Sequence, residues 1–167
     1  EGCGKSTQIR KVARYMKERG LPVIVVREPG GTAIGEKIRK ILLDKMNVAM
    51  SPATEALLYC AARAQIVNEV IMPSLCKGIT VICDRFYDST LAYQGYGLQM
   101  DLRSLVSLCS FAAGGLVPDM TFLLDLPVKI GLKRAGRTDR IEDRSCAYHE
   151  NVRKGFLALA KRHRKRF

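Results

Sequence analysis

Three short stretches of the chain are nearly unbroken in apolar and β-branched residues: Pro22–Arg27 (PVIVVR), Ile79–Asp84 (ITVICD) and Met120–Asp125 (MTFLLD). Continuous apolar runs of this length fit strands covered on both faces, as in a parallel sheet. Between and around them the apolar positions recur at helical spacing. The predicted helices span Lys5–Arg19, Ile34–Asp44, Pro52–Lys77, Leu102–Ala113, Val128–Ala135 and Ile141–His163. Strands alternating with helices predict an α/β fold with right-handed crossovers. Neither repeats nor a low-complexity linker interrupt the pattern, so residues 1–167 read as one domain.

The first helix is preceded by Glu1-Gly2-Cys3-Gly4-Lys5-Ser6-Thr7, the second half of the phosphate-binding pattern G-x-x-x-x-G-K-[ST], whose first glycine would fall before Glu1. Gly4 frees the backbone to turn N–H groups toward phosphate oxygens, Lys5 brings a point charge, and Ser6 offers a hydroxyl to Mg²⁺. Because such a loop follows a strand and the chain stops in a helix, the first and last strands of a P-loop NTPase three-layer fold are expected to be missing here.

Composition changes the picture little. With 167 residues and 47% hydrophobic content there is enough material for one core. No apolar run reaches membrane-spanning length. The six cysteines form neither a C-x-x-C pair nor a metal-ligand spacing with the histidines, which suits buried thiols in a reducing compartment. The net charge of +12 raises nucleic-acid binding, most obviously through Lys161-Arg162-His163-Arg164-Lys165-Arg166. No regularly spaced aromatics accompany that run, so it reads as a solvated helix end instead.

Further candidate chemistry gathers at the strand ends, where α/β proteins bind ligands. Arg27-Glu28-Pro29-Gly30-Gly31-Thr32 follows the first strand, with Arg39 on the helix behind it. Tyr59 and Arg63 stand four apart on one helix face. That spacing suits a ring stacked on a base beside a guanidinium donating to its edge, and equally a core ring beside an ion-paired arginine. Asp84-Arg85 ends the second strand, placing an acid for hydrated Mg²⁺ and a clamp for a phosphate. Lys133–Arg144 (KRAGRTDRIEDR) is either a basic lid or an exposed helix–loop–helix laced with ion pairs.

Taken in order, EGCGKSTQ, REPGGTAIGEKIRKILL, EALLYCAARAQIV, VICDRFYDSTLAYQG, PDMTFLLDL and GLKRAGRTDRIE resemble thymidylate kinase of the bacterial type over nearly the whole chain. The resemblance implies transfer of the ATP γ-phosphoryl group to dTMP by a cytoplasmic, Mg²⁺-dependent homodimer, without nucleic-acid or membrane partners. It places ATP and its metal on Gly2, Cys3, Gly4, Lys5, Ser6 and Thr7, with Asp84 near the metal. Glu1 would meet the sugar 3′-hydroxyl of dTMP. Arg39 and Arg85 would hold its phosphate, with Glu28 and Pro29 at the same edge. Tyr59 would stack on thymine and Arg63 bond its O4. Thr90 and Gln94 fall at the base edge, and Tyr93 at the ring that excludes a ribose 2′-hydroxyl. Gly2 stands where the eukaryotic form carries an arginine, so the catalytic arginines are sought in the lid (about 133–144), at Arg137 and Arg140. Another P-loop nucleotide or deoxynucleoside kinase is the nearest alternative. A basic nucleic-acid-binding module without kinase activity is the alternative of another class.

Overall fold

A computed structural model describes residues 1–136 and 139–167. Helix α1 (Lys5–Glu18) is followed by strand β1 (Val23–Arg27), α2 (Ala33–Leu43) and α3 (Pro52–Ile66). The chain continues through α4 (Met72–Cys76), β2 (Thr80–Asp84), α5 (Tyr87–Thr90), α6 (Leu102–Ala112), α7 (Val128–Ala135) and α8 (Cys146–Arg162). β1 and β2 pair in parallel, in register from Val23 opposite Thr80 to Arg27 opposite Asp84. Helices flank this sheet, so the α/β class expected from the sequence is what the structure shows. The register ends both strands at the same edge, which brings Glu28 and Asp84 together: the Glu28 N–H donates to the Asp84 carbonyl at 3.0 Å.

Most helix starts are written in the sequence. Thr32, Ser51, Asp101 and Ser145 each accept a backbone N–H from the residue three positions on, satisfying donors a helix end leaves free. Ser145 moves the start of the last helix from the expected Ile141 to Cys146. The helix predicted over Pro52–Lys77 is continuous in direction but widens to a π-helix at Val67–Ile71, where the Met72 N–H reaches the Val67 carbonyl. Pro73 explains the widening, because its ring lacks an N–H and crowds the preceding turn. A second π-helical stretch, Leu91–Gly97, extends α5.

The expected strand at Met120–Asp125 is not one. Among the described residues it joins no ladder; the Thr121 N–H instead donates to the Arg166 carbonyl at 2.8 Å. Met120 and Phe122 are 67% and 80% exposed. An apolar run becomes a buried strand only when neighbours take its backbone groups and cover its faces, and neither happens here. The main core lies elsewhere, where Cys60, Leu91, Tyr93, Cys109, Tyr148 and Leu159 pack together. A smaller one joins Val26 to Ile66, Val67 and Ile71. Together they fix α3 and the segment 87–97 against each other and against the strand ends.

Candidate active site

Gly4 caps α1 with φ +88°, and no described side chain makes a capping hydrogen bond there. Thr7 and Gln8 send their N–H groups back to the Gly4 carbonyl, while the helix's first donors stay available to an anion. Gly2, with φ +63°, sits so close to α7 that a Cβ would lie 2.2 Å from the Gly131 carbonyl oxygen. Any side chain there would push the loop off α7. Lys5 Nζ lies 3.8 Å from Glu1 Oε2 and 4.0 Å from Cys3 Sγ.

Glu1 joins this loop to the end of β2. Arg85 Nη2 donates to Glu1 Oε1 at 2.5 Å and to the Tyr93 hydroxyl at 3.0 Å, and that hydroxyl donates to the same Glu1 oxygen. Burial alone would raise the Glu1 carboxyl, but the surrounding cations, Arg85 foremost, hold it well below the usual carboxylate range. Burial also works against the Arg85 charge, yet Tyr93, Glu1 and Asp84 outweigh it and keep the guanidinium protonated. Arg85 adopts φ +70°, a conformation non-glycine residues avoid and which is often found at functional sites. Burial drives the Tyr93 hydroxyl well above its ordinary value, so it donates as a neutral phenol. Its ring is held edge-on by Tyr148 and Phe156.

The loop after β1 is built around the cis Glu28–Pro29 bond and two glycines of positive φ, Gly30 and Gly31. Arg39 Nη1 donates to the Pro29 carbonyl at 2.9 Å. Glu36 Oε1 accepts from the Gly31 N–H at 2.8 Å and from Arg27 Nη2 at 2.7 Å, which ties the loop to α2.

Across the cleft, Glu55, Tyr59 and Arg63 recur at i, i+4 and i+8 on α3, facing Thr90 and Gln94 four apart on the 87–97 segment. Two rungs join them. Arg63 Nη2 donates to Thr90 Oγ1 at 3.1 Å, and Gln94 Nε2 donates to Glu55 Oε1 at 2.8 Å. Tyr59 lies between the rungs, half-buried, with its hydroxyl pushed up by burial. Arg63 is only 1% exposed and its donors are taken: Nε and Nη2 by Glu28, Nη1 by the Cys60 and Cys109 sulfurs. It reaches a base edge only by giving up one of these weak N–H···S contacts.

Arg140 differs more sharply from its expected place in the lid. It is 9% exposed, with Nε on the Leu42 carbonyl and Nη2 on Glu55 Oε2 at 2.6 Å. The guanidinium is a buried ion-pair partner and is not turned toward the phosphate loop. Arg137 lies outside the described residues. The basic tail is also partly folded in, since Arg166 holds Asp88 through two bonds at 2.6 and 2.9 Å.

Among the described residues two buried carboxylate oxygens have no hydrogen-bond partner, Asp84 Oδ1 and Glu28 Oε1. Both lie at the strand ends, and orphaned carboxylate oxygens in that position suit the water shell of a Mg²⁺ ion. No cluster of three or more metal-ligating side chains exists among the described residues.

Glu55 and Asp88 were not singled out from sequence. An acid in the first turn of a helix reads as a dipole partner, and only its four-residue spacing from Tyr59 hints otherwise. Asp88 pairs with a residue 78 positions away, beyond any local pattern.

A family model described as Thymidylate kinase matches residues 1–167. The thymidylate kinase of Geobacter sulfurreducens is 53% identical over 169 residues, spanning 96% of this chain and 79% of its own length. That of Carboxydothermus hydrogenoformans is 52% identical over 164 residues, spanning 96% of this chain and 80% of its own. The crystal structure of thymidylate kinase from Ehrlichia chaffeensis superposes with a TM-score of 0.82 at 32% identity, covering 99% of this chain and 79% of that one.

Proposed function

This chain belongs to the thymidylate kinase family, and from that premise we propose that the residues gathered at the strand ends carry the γ-phosphoryl group of ATP to the phosphate of dTMP. The chain is a nucleotide kinase acting on dTMP, with ATP as phosphate donor. The observation that carries the residue assignment is the cluster of Glu1, Arg85 and Tyr93, bonded to one another beside the phosphate loop.

Phosphoryl transfer needs in-line alignment and neutralisation of spread negative charge, and no covalent side-chain chemistry. Lys5 and the open N–H groups of α1 bind the ATP phosphates. Arg85 and Arg39 orient the dTMP phosphate, Glu1 takes the 3′-hydroxyl, and the Tyr93 ring closes the space a 2′-hydroxyl would need. Tyr59 stacks on the base, with Arg63, Thr90 and Gln94 along its edge. Asp84 and Ser6 would hold Mg²⁺, which when bound would neutralise phosphate charge. Arg137 is the lid charge that stabilises the transferring group. The buried position of Arg140 assigns it to holding α3 and the lid base together.

A homodimer is proposed with α3 in the contact, where Leu57 is 56% exposed; sedimentation of the protein would test it. No helix among the described residues is long and apolar enough to cross a membrane, and a cytoplasmic location is proposed from the family. The activity is tested by coupled ADP release with ATP and Mg²⁺, offering dTMP, dUMP, dCMP and UMP in turn. Preference for dTMP is expected. Transfer to none of the four would overturn the reading, and equal transfer to all would leave a kinase without the proposed base site.

A further inference from the structure

We propose that Glu55 sets the base preference of this enzyme by fixing which end of the Gln94 amide a nucleotide meets; the inference rests on the dTMP kinase reading. Glu55 is fully buried and Gln94 is 1% exposed. Glu55 Oε1 accepts from Gln94 Nε2 at 2.8 Å, and Oε2 accepts from Arg140 Nη2 at 2.6 Å and Arg144 Nη2 at 2.7 Å.

The chemistry of the pair is directional. A carboxylate accepts and does not donate, whereas an amide has a donating and an accepting end. Only one orientation of Gln94 therefore satisfies the contact, with its NH₂ toward Glu55. The flipped amide would set oxygen against oxygen where no water can relieve it, and would strand a buried donor. Two guanidiniums on Oε2 anchor the Glu55 side chain on that side.

The end of Gln94 left for a ligand is consequently its carbonyl oxygen, an acceptor, for which no described side chain competes. Thymine presents a donor, N3–H, between two carbonyls. Cytosine presents a lone pair at N3 beside an amino group. A fixed acceptor accepts a bond from the first and opposes the second, and a site built around one hydrogen bond rejects an analogue that lacks it far better than a shape filter does. Arg63, with its donors committed to Glu28, Thr90 and two sulfurs, contributes less to this choice than its position suggests. Glu55 touches no substrate in this scheme; it is a positioning residue that acts through Gln94.

The test measures kcat/KM for dTMP and dCMP, and KM for ATP, in wild type, Glu55→Gln and the double variant Glu55→Gln/Gln94→Glu. Wild-type turnover of dTMP checks the underlying activity separately. In Glu55→Gln the new amide keeps its oxygen on Arg140 and Arg144 and turns its NH₂ to Gln94, which flips and offers the base a donor; the dTMP:dCMP ratio is expected to fall on the order of tenfold to a hundredfold, with KM for ATP unchanged. The double variant returns one carboxylate to the cluster and presents an acceptor to N3–H again, so the wild-type preference is expected back. A uniform loss for both acceptors in Glu55→Gln, with the ratio intact, would mean a merely structural role and overturn the proposal. Should Glu55→Gln not fold, the double variant decides alone: retained preference for dTMP supports the keying, and its absence sinks it.

Discussion

Arg63 Nη2 lies 2.8 Å from Glu28 Oε2, both side chains almost wholly buried, and the pair joins the end of β1 to α3 across 35 positions of chain. The guanidinium also meets Thr90, two thiols and the face of the Phe86 ring. Burial pushes the Glu28 carboxyl up, with Arg63 opposing it, so each charge depends on the other. Glu28→Gln should therefore strand Arg63 and destabilise the protein by about 3–5 kcal/mol. Urea unfolding of the two proteins measures this; a midpoint that does not move would show that Arg63 finds another partner.

Lys5 stands at the mouth of an uncapped helix N-terminus, 3.8 Å from Glu1. Lys5→Ala removes the charge proposed for the ATP phosphates and leaves the Arg85–Tyr93 pair proposed for dTMP in place. Turnover should be lost while calorimetric dTMP affinity stays within about a few-fold of wild type. Loss of dTMP affinity alongside turnover would move Lys5 to the acceptor side.

Tyr93 separates the roles of a ring and a hydroxyl. Its ring is clamped by Tyr148 and Phe156, while its hydroxyl bridges Arg85 and Glu1. Tyr93→Phe should raise KM for dTMP yet keep discrimination against the ribose counterpart, because the ring remains. Tyr93→Ala should lose both. Kinetics with dTMP and ribothymidine monophosphate check the split, and equal discrimination in both variants would remove the ring from sugar selection.

The residues that were legible from sequence are those whose signal is local. Val23–Arg27 and Thr80–Asp84 announced themselves by apolar runs and Gly4-Lys5-Ser6 by its spacing. Met120–Asp125 has the same apolar pattern as β2 but no pairing among the described residues, and periodicity cannot report whether a neighbour exists. Arg140 read as a lid cation because it sits in a basic run. Its partner Glu55 is 85 positions away, and long-range ion pairs leave no mark in local sequence. The same is true of Arg63: its helical face was legible, its capture by Glu28 was not.

Two arginines of one basic segment should fail in different ways. Arg140 is buried on Glu55 and the Leu42 carbonyl, so Arg140→Ala should cost about 3–5 kcal/mol of stability. Arg137→Ala should instead lower kcat by about three decades or more, as removal of a transition-state arginine does, without a comparable loss in a urea melt. An Arg137→Ala enzyme with unchanged kcat would take that residue out of the mechanism.

Acid should loosen the loop after β1 before it unfolds the core. Glu36 is held below its ordinary value chiefly by the Gly31 N–H, with Arg27 adding to it. A carboxyl whose folded pKa is depressed contributes stability that is fully present above its ordinary value, about 4.3, and is lost as pH falls below that toward the folded value. The contribution of Glu36 is thus constant through neutral pH and disappears only under acid. Glu36→Gln should consequently melt lower than wild type at about pH 7, with the gap closing below about pH 4. Because Arg39 meets the same loop at the Pro29 carbonyl, the variant should also bind dTMP more weakly at neutral pH. A gap in melting temperature that persists unchanged into acid would show that the loop is held by its backbone alone and that the Glu36 carboxylate adds nothing.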